Sequence, residues 1–125
     1  MPSRKSKSPM WLKAVEAHDY EAAVSYLSLV YPRRQAAKLA AALRRRPLEQ
    51  YKAKDIFRAS RLSLLGVSNS HVEKDLQKIR RGIGISPLLL VRDQQTLTVV
   101  IADGYHRLCA VYRFDEDALI PCKIV

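Results

Sequence analysis

The chain has 125 residues, of which 48% are apolar and 27% are charged, a composition typical of a single folded domain. Its apolar runs are far shorter than the roughly 20 residues that a membrane-spanning helix needs. A basic segment opens the chain, but no long apolar stretch follows it, as one would in a secretory signal. These features argue against a membrane-spanning or secreted protein, and we expect a cytoplasmic one.

The net charge is unevenly distributed along the chain. Residues 1–61 contain 14 of the 22 lysines and arginines but only 5 of the 12 acidic residues, so nearly all of the net charge of +10 lies in this half. Such an excess is typical of proteins with a polyanionic partner, and DNA or RNA contacting Arg44, Arg45 and Arg46 is one hypothesis. The alternative is a basic helical surface without a specific partner, since the same arginines suit the negative end of a helix dipole.

The two cysteines, Cys109 and Cys122, lie among apolar neighbours and lack the spacing of a zinc site. We expect both to be buried, reduced thiols, with a disulfide between them as the alternative. His18 and His71 are expected at the amino-terminal flanks of helices, with no metal-binding partner nearby. No metal site is therefore predicted.

Helices dominate the prediction for the first half, because residues 1–65 contain no glycine and are rich in alanine, leucine, lysine and arginine. The first predicted helix runs over residues 8–17, from Ser8 as the N-cap. The second is capped by Asp19 and ends before Pro32, and the third covers residues 33–46. Both of these show apolar residues at helical spacing.

The pattern changes after Pro47. A short strand is predicted over residues 50–54, followed by a turn of helix that Asp55 caps. Ser70 and Glu73 have the spacing of a capping box, which predicts a helix that ends at Gly82 in the left-handed conformation. The inward side chains of that helix are expected to be Val72, Leu76 and Ile79.

Three apolar segments near the carboxyl terminus predict strands. Residues 88–91 and 97–101 flank a polar turn at 93–95, as in a hairpin, and residues 120–125 form the last strand. A helix over residues 105–113 lies between them. The predicted fold class is α+β, with a small mixed sheet flanked by helices over residues 48–125 and a helical extension over residues 1–47 packed on it.

The segment most indicative of function is Asp103-Gly104-Tyr105-His106-Arg107, where a predicted strand runs directly into a helix. The amino terminus of a helix is already partly positive, so an arginine in its first turn is unfavourable unless a negative group lies nearby. We therefore predict a phosphate site formed by backbone N–H groups, His106 and Arg107, which Gly104 lets an anion approach closely. The alternative is that Arg107 pairs with a carboxylate, Asp103 or Asp75, and that His106 is a surface residue.

This segment resembles boxes found in a known superfamily. Residues 104–110, Gly-Tyr-His-Arg-Leu-Cys-Ala, resemble the G-E-R-R-x-x-A box of ParB partition proteins and the G-C-H-R box of sulfiredoxins. Residues 76–91 are similar to the ParB pattern of a helix, a glycine and Pro-Ile-x-Val, and residues 120–125 to its closing Ile-Pro-x-x-Val strand. The resemblance implies a ParB/sulfiredoxin-like fold for residues 48–125. With its helical extension, the whole chain resembles a group of short bacterial proteins without an assigned role.

The departures from both boxes limit the implied chemistry. Tyr105 occupies the position of the sulfiredoxin nucleophilic cysteine, so sulfiredoxin activity is not expected. The same tyrosine replaces the acidic residue of the ParB box, and His106 replaces its first arginine. The resemblance thus implies binding of a nucleoside triphosphate with Mg²⁺ through Asp103 to Arg107, and it leaves hydrolysis in doubt. The ParB helix-turn-helix has no counterpart in the chain, so centromere binding through that element is not expected.

The resemblance also suggests a second group of residues beside the same cleft, namely Lys54, Asp55 and Arg58. The alternative for them is a capped, solvated helix. Three function classes follow from the sequence: a nucleotide- or phosphate-binding module, a basic protein associated with nucleic acid, and a phosphotransferase or nuclease. The enzyme needs a carboxylate that holds Mg²⁺ or acts as a base, and Asp103 and Asp55 are the candidates.

Overall fold

The structure, a computed structural model, describes residues 8–65 and 69–125. Residues 1–7 of the predicted extension lie outside the described part. Residues 8–65 and 69–125 contain five helices and four strands, in the order α1 (Ala17–Val30), α2 (Arg33–Arg45), β1 (Glu49–Lys52), α3 (Ala53–Ser60), α4 (Ser70–Arg80), β2 (Leu88–Asp93), β3 (Thr98–Asp103), α5 (Tyr105–Phe114) and β4 (Leu119–Ile124).

The four strands form one mixed sheet in the order β1-β4-β2-β3. Strands β2 and β3 form the predicted antiparallel hairpin, with Val91 opposite Val100. The last strand, β4, enters the middle of the sheet, where it runs antiparallel to β1 and parallel to β2. The α+β class and the small mixed sheet are therefore confirmed.

Helices cover both faces of the sheet, which explains why β2 begins with four consecutive buried apolar residues. Side chains alternate between the faces of a strand. Leu88 and Leu90 belong to one core cluster, with apolar residues of α3, α4 and α5. Leu89 and Val91 belong to the other, with apolar residues of α1 and α2. The two amino-terminal helices thus pack on the sheet face opposite to that of the other three.

Both cysteines are buried and free, Cys109 in α5 and Cys122 in β4. Burial raises the pKa of Cys122 to about 12 and raises that of Cys109 as well. The expectation of reduced, buried thiols is confirmed in this structure. None of the helices in residues 8–65 and 69–125 is long and apolar enough to cross a membrane.

The predicted helix over residues 8–17 is wrong. Residues 8–16 form no helix, and Ala17 is already the first residue of α1. Leu12 N–H donates to the carbonyl of Ile85, and Ile85 N–H donates to the carbonyl of Met10. Trp11, which lies between Met10 and Leu12 in the chain, packs against the core cluster on the α4 side of the sheet. Tertiary pairing with the segment before β2 therefore overrides the local Ser-Pro signal for a helix.

The limits of α2, α4 and α5 agree with the sequence prediction within about one residue, whereas three predicted caps are wrong, and α1 and α3 begin before the residues predicted to cap them. Asp19 lies within the first turn of α1 and is buried, and Asp55 lies within the first turn of α3. Helix α4 is capped by Asn69, whose side chain accepts from the N–H groups of His71 and Val72. Ser70 is instead its first helical residue. Asn69 occupies the N-cap because its side-chain oxygen, Oδ1, reaches the N–H groups of both His71 and Val72.

Other local predictions are confirmed. Val72, Leu76 and Ile79 are buried, and Gly82 follows α4 with a φ of 72°. The hairpin turn is held by Asp93, whose carboxylate accepts from Gln95 N–H at 3.0 Å. Leu97, predicted as the first residue of the returning strand, belongs to this turn and has a φ of 57°.

Candidate functional site

The predicted site lies where β3 ends and α5 begins. Gly104 joins the two elements with a φ of 107°, a left-handed conformation that favours glycine. A Cβ atom at this position would lie 2.8 Å from Leu88 Cγ and 2.9 Å from Arg107 Nη2. The glycine is therefore required by the packing of the turn itself, before any ligand is considered.

Arg107 is bound by carboxylates, as the alternative interpretation anticipated. Its Nη2 atom lies 2.9 Å from Asp103 Oδ2 and 3.3 Å from Asp19 Oδ2. The same nitrogen also donates to the carbonyl of Pro87 at 3.4 Å. Arg107 thus connects α5 with the end of β3, with the residue before β2 and with α1. Its Nε atom is buried and has no hydrogen-bond partner among the described residues.

The two carboxylates on Arg107 influence each other. Asp19 is buried, whereas Asp103 is partly buried. Burial raises the pKa of Asp103, the Arg107 guanidinium opposes this shift, and the neighbouring Asp19 adds to it. Asp75, the other carboxylate considered for Arg107, is in no salt bridge with it; burial raises the pKa of Asp75, and the positive charge of Arg107 opposes that shift.

Beside this ion-pair group lies a polar cavity of about 260 Å³ between α4 and α5. We call it the α4–α5 cavity. One wall is the strand-to-helix turn, and the other is a single face of α4, whose residues follow the spacing i, i+3, i+4, i+7. The lining residues are His71, Lys74, Asp75, Lys78, Asp103, Gly104, Tyr105, His106 and Arg107.

Positive groups predominate around the α4–α5 cavity. Lys74, Lys78 and Arg107 are permanent cations, and they face two carboxylates, Asp75 and Asp103. Lys74 and Lys78 are exposed and form no salt bridge among the described residues. No side-chain oxygen caps the amino terminus of α5, so its first N–H groups add partial positive charge.

Two imidazoles pack together at this cavity. The ring centroids of His71 and His106 are 4.9 Å apart, and Tyr105 lies on the other side of His106 at 5.7 Å. Burial lowers the pKa of His106, as do His71 and Arg107, while Asp75 opposes these effects. His106 is partly buried rather than a fully exposed surface residue.

A second, less polar depression of about 560 Å³ adjoins the cavity across the residues of the turn. Its apolar walls include Tyr26 of α1 and Leu62 from the segment after α3, both of which are exposed. The hydroxyl of Tyr105 donates to the carbonyl of Ser63, and burial raises the pKa of Tyr105 to about 12. Tyr105 therefore serves as a neutral wall between the two spaces.

The structure does not bring Lys54, Asp55 and Arg58 to this cavity. Lys54 Nζ lies 2.7 Å from Asp117, and Arg58 pairs with Asp55 at 3.5 Å on an exposed surface of α3. Asp55 borders a different, apolar pocket. Asp55 and Asp103, the two carboxylates considered for Mg²⁺, therefore line no common cavity in the described part of the chain.

Two of the three arginines at the end of α2 contact other parts of the protein. Arg44 lies over the ring of Tyr20, with its guanidinium carbon 4.3 Å from the ring centroid. Arg46 Nε donates to the carbonyl of Ile124 at 3.1 Å, which attaches the helix end to the sheet. Arg45 makes no salt bridge among the described residues, and all three side chains are exposed.

His18 has partners that the sequence did not predict. Ligand atoms of Glu16, His18 and Asp19 lie within 4.8 Å of one another, because the first turn of α1 brings them together. His18 Nε2 is 3.2 Å from Asp19 Oδ1, whose other oxygen is bound by Arg107. Ion pairing within the protein thus accounts for this cluster.

The sequence prediction missed most of the residues contributed by α4. His71, Lys74 and Lys78 recur at helical spacing opposite the predicted apolar face, a signal present in the sequence. That signal alone does not show that α5 packs beside this face and closes a cavity against it.

Comparisons of the chain with protein-family models, with curated proteins and with solved structures found no match.

Proposed function

We propose that the protein binds a phosphorylated ligand, a nucleotide in the first instance, with its phosphate in the α4–α5 cavity. The observation that supports this most is the convergence on one cavity of Lys74 and Lys78, two imidazoles and the uncapped amino terminus of α5. Unpaired N–H groups at a helix start, together with cationic side chains, favour phosphate binding.

The roles differ from those expected from the sequence. Lys74 and Lys78 are the exposed charges that contact phosphate oxygens, and His106 donates a further hydrogen bond. Arg107 is a positioning residue, because its contacts to Asp19 and Asp103 hold the turn in place. Gly104 contributes the conformation of the turn rather than room for the anion.

The adjoining depression supports a nucleotide rather than a free phosphate. It shares Asp103, Gly104, Tyr105 and His106 with the α4–α5 cavity, so a ligand can occupy both spaces. The base of a nucleotide would lie between the exposed apolar side chains of the depression, and its phosphate would lie beside the lysines of the α4–α5 cavity. Each part of the ligand would then match the polarity of the space that it occupies.

If the nucleotide carries Mg²⁺, Asp75 is the carboxylate suited to it. Asp103 is already bound to Arg107, whereas Asp75 lines the same cavity and forms no salt bridge among the described residues. Mg²⁺ is often held by one or two carboxylates together with phosphate oxygens. The ion would add charge neutralisation to phosphate binding.

We also propose that residues 48–125 have a ParB/sulfiredoxin-like fold. The order of α4, the β2–β3 hairpin, α5 and the closing strand β4 supports this, as does a glycine at the start of α5. The resemblance to the ParB box implies nucleotide binding through the same residues, so the fold proposal and the ligand proposal agree.

Isothermal titration calorimetry with pyrophosphate and the four ribonucleoside triphosphates, with and without Mg²⁺, tests the function. The double variant Lys74→Ala/Lys78→Ala should lose at least about tenfold in affinity, because the loss of even one charged contact worth about 1.5 kcal/mol lowers affinity about tenfold. The matched control Arg34→Ala/Lys38→Ala removes the same charge from exposed positions on α2 and should leave the affinity unchanged. Equal losses in both variants, or no binding by the unmodified protein, would overturn the proposal.

A further inference from the structure

The positive face of α4 extends beyond the α4–α5 cavity. At about 100° per residue, His71, Lys74, Lys78 and Arg81 fall within an arc of about 80° on the helix surface. All four side chains are exposed. Arg81 follows the last residue of α4 and does not line the cavity. We call these four residues the α4 stripe.

The charges of the α4 stripe are not used within the protein. Lys74, Lys78 and Arg81 form no salt bridge among the described residues. Glu73 lies outside the arc and accepts a hydrogen bond from Gln77 at 2.8 Å. The apolar face of α4 points the other way, into the core. Asp75, which lies beside the stripe on the same side of α4, partly offsets the charge of Lys78. Lys74 and Lys78 line the α4–α5 cavity, and Arg81 continues the row of cations beyond it.

The length of the α4 stripe suggests what it binds. Ten residues of α-helix rise about 15 Å, and a stacked nucleic acid strand places a phosphate about every 3.4 Å. We propose that the α4 stripe binds a single-stranded nucleic acid, with one phosphate in the α4–α5 cavity beside Lys74 and Lys78 and a following phosphate at Arg81. This inference rests on the proposed function and specifies a polynucleotide rather than a mononucleotide as the ligand.

The side chains beside the stripe favour a nucleic acid over an acidic peptide. His71 is exposed and lies against His106, which in turn lies against Tyr105, so flat rings adjoin the row of cations. Stacking of bases on such rings contributes to binding of single strands without sequence preference. An acidic peptide would use the cations alone.

The different positions of Arg81 and Arg80 round the helix provide the test, since the two residues carry the same charge. Both side chains are exposed at the end of α4, but Arg80 lies about 100° further round the helix, outside the stripe. We would measure binding of a fluorescein-labelled octathymidylate by fluorescence anisotropy at several salt concentrations. Arg81→Glu should weaken binding about tenfold and lower the salt slope by about 0.7, the value for one phosphate contact on a single strand. Arg80→Glu should change the affinity less than about threefold.

Pyrophosphate separates this inference from the proposed function. Arg81→Glu should leave pyrophosphate affinity unchanged, because Arg81 lies outside the α4–α5 cavity. The inference is wrong, and the proposed function stands, if pyrophosphate binds but octathymidylate does not. The same holds if pyrophosphate binds and Arg80→Glu and Arg81→Glu weaken octathymidylate binding equally. Binding of hexaglutamate with the same dependence on Arg81 would also overturn it, in favour of an acidic protein partner. Failure of both pyrophosphate and octathymidylate to bind would overturn both proposals.

Discussion

Arg107 Nη2 lies 3.3 Å from Asp19 Oδ2, which joins two residues that are 88 positions apart in the chain. The carboxylate belongs to α1 and the guanidinium to α5, so this contact ties the amino-terminal helices to the turn that borders the α4–α5 cavity. Both groups are largely buried, with 3% and 17% of the respective side chains exposed. The helical extension is therefore part of the structure of the site.

Removing the charge of Asp19 should destabilise the fold. Asp19→Asn leaves the buried guanidinium with Asp103 as its one charged partner, and we expect the free energy of unfolding to fall by about 1–3 kcal/mol. Urea denaturation measures this change. The control is His18→Gln, since His18 pairs with the same carboxylate from an exposed position and should change stability by no more than about 0.5 kcal/mol. Equal effects of the two substitutions would contradict the structural role given to Asp19.

Gly104 and Gly82 form a second matched pair. Both have positive φ, but a Cβ atom at Gly82 would have no atom within 4 Å, whereas one at Gly104 would meet Leu88 at 2.8 Å. Gly82→Ala should cost about 1–2 kcal/mol for the left-handed backbone alone. Gly104→Ala should cost about 1–3 kcal/mol more, because the core must also shift to make room. A thermal unfolding series that gives equal losses for the two variants would show that the turn tolerates a side chain.

Local pattern predicted most of the fold, because apolar periodicity and turn residues report directly on secondary structure. The hairpin around Asp93, the inward face of α4 and the helix that starts after Gly104 all follow from signals within a few residues. The error at residues 8–17 arose where a contact distant in sequence, the pairing of Trp11 with Ile85, outweighs such a signal.

The candidate site was predictable only in part, for the same reason. An arginine in the first turn of a helix indicates a nearby negative group, but the sequence does not distinguish a bound anion from a carboxylate. Asp19 resembled an N-cap, and only the packing of α1 on the sheet places it beside Arg107. The displacement of Lys54, Asp55 and Arg58 from the cavity likewise depends on where α3 packs.

The two thiols should be unreactive in the folded protein. Cys109 and Cys122 are buried, and burial raises the pKa of both, that of Cys122 to about 12, so almost no thiolate forms at neutral pH. Ellman's reagent should therefore label two thiols in urea and none rapidly under native conditions. The variant Ser25→Cys, at an exposed position of α1, supplies a reactive thiol for comparison. Rapid native labelling of the unmodified protein would contradict this burial.

The last prediction concerns pH and the imidazole pair. Burial, His71 and Arg107 lower the pKa of His106 from 6.5, so without an anion the folded protein resists protonation there. Between pH 6.5 and the lower pKa of the folded state, the unfolded chain therefore binds more protons than the folded protein. The stability present above pH 6.5 is lost as the pH falls through the folded-state pKa of His106. A bound anion reverses the preference, because it favours the charged imidazole. Sulfate suits this measurement, since its charge is constant between about pH 5 and 8.

We expect sulfate affinity, measured by calorimetry, to rise about tenfold from pH 8 to pH 5.5 in the unmodified protein. His106→Gln should flatten most of this rise, and it should also reduce the loss of stability at acid pH when sulfate is absent. His71, Lys74, Asp75, Lys78, Asp103 and Arg107 line the same cavity as His106. His71→Gln therefore serves as the companion variant, which separates the contribution of the second imidazole. An affinity that rises equally in His106→Gln would assign the pH dependence to another group and remove His106 from the proposed site.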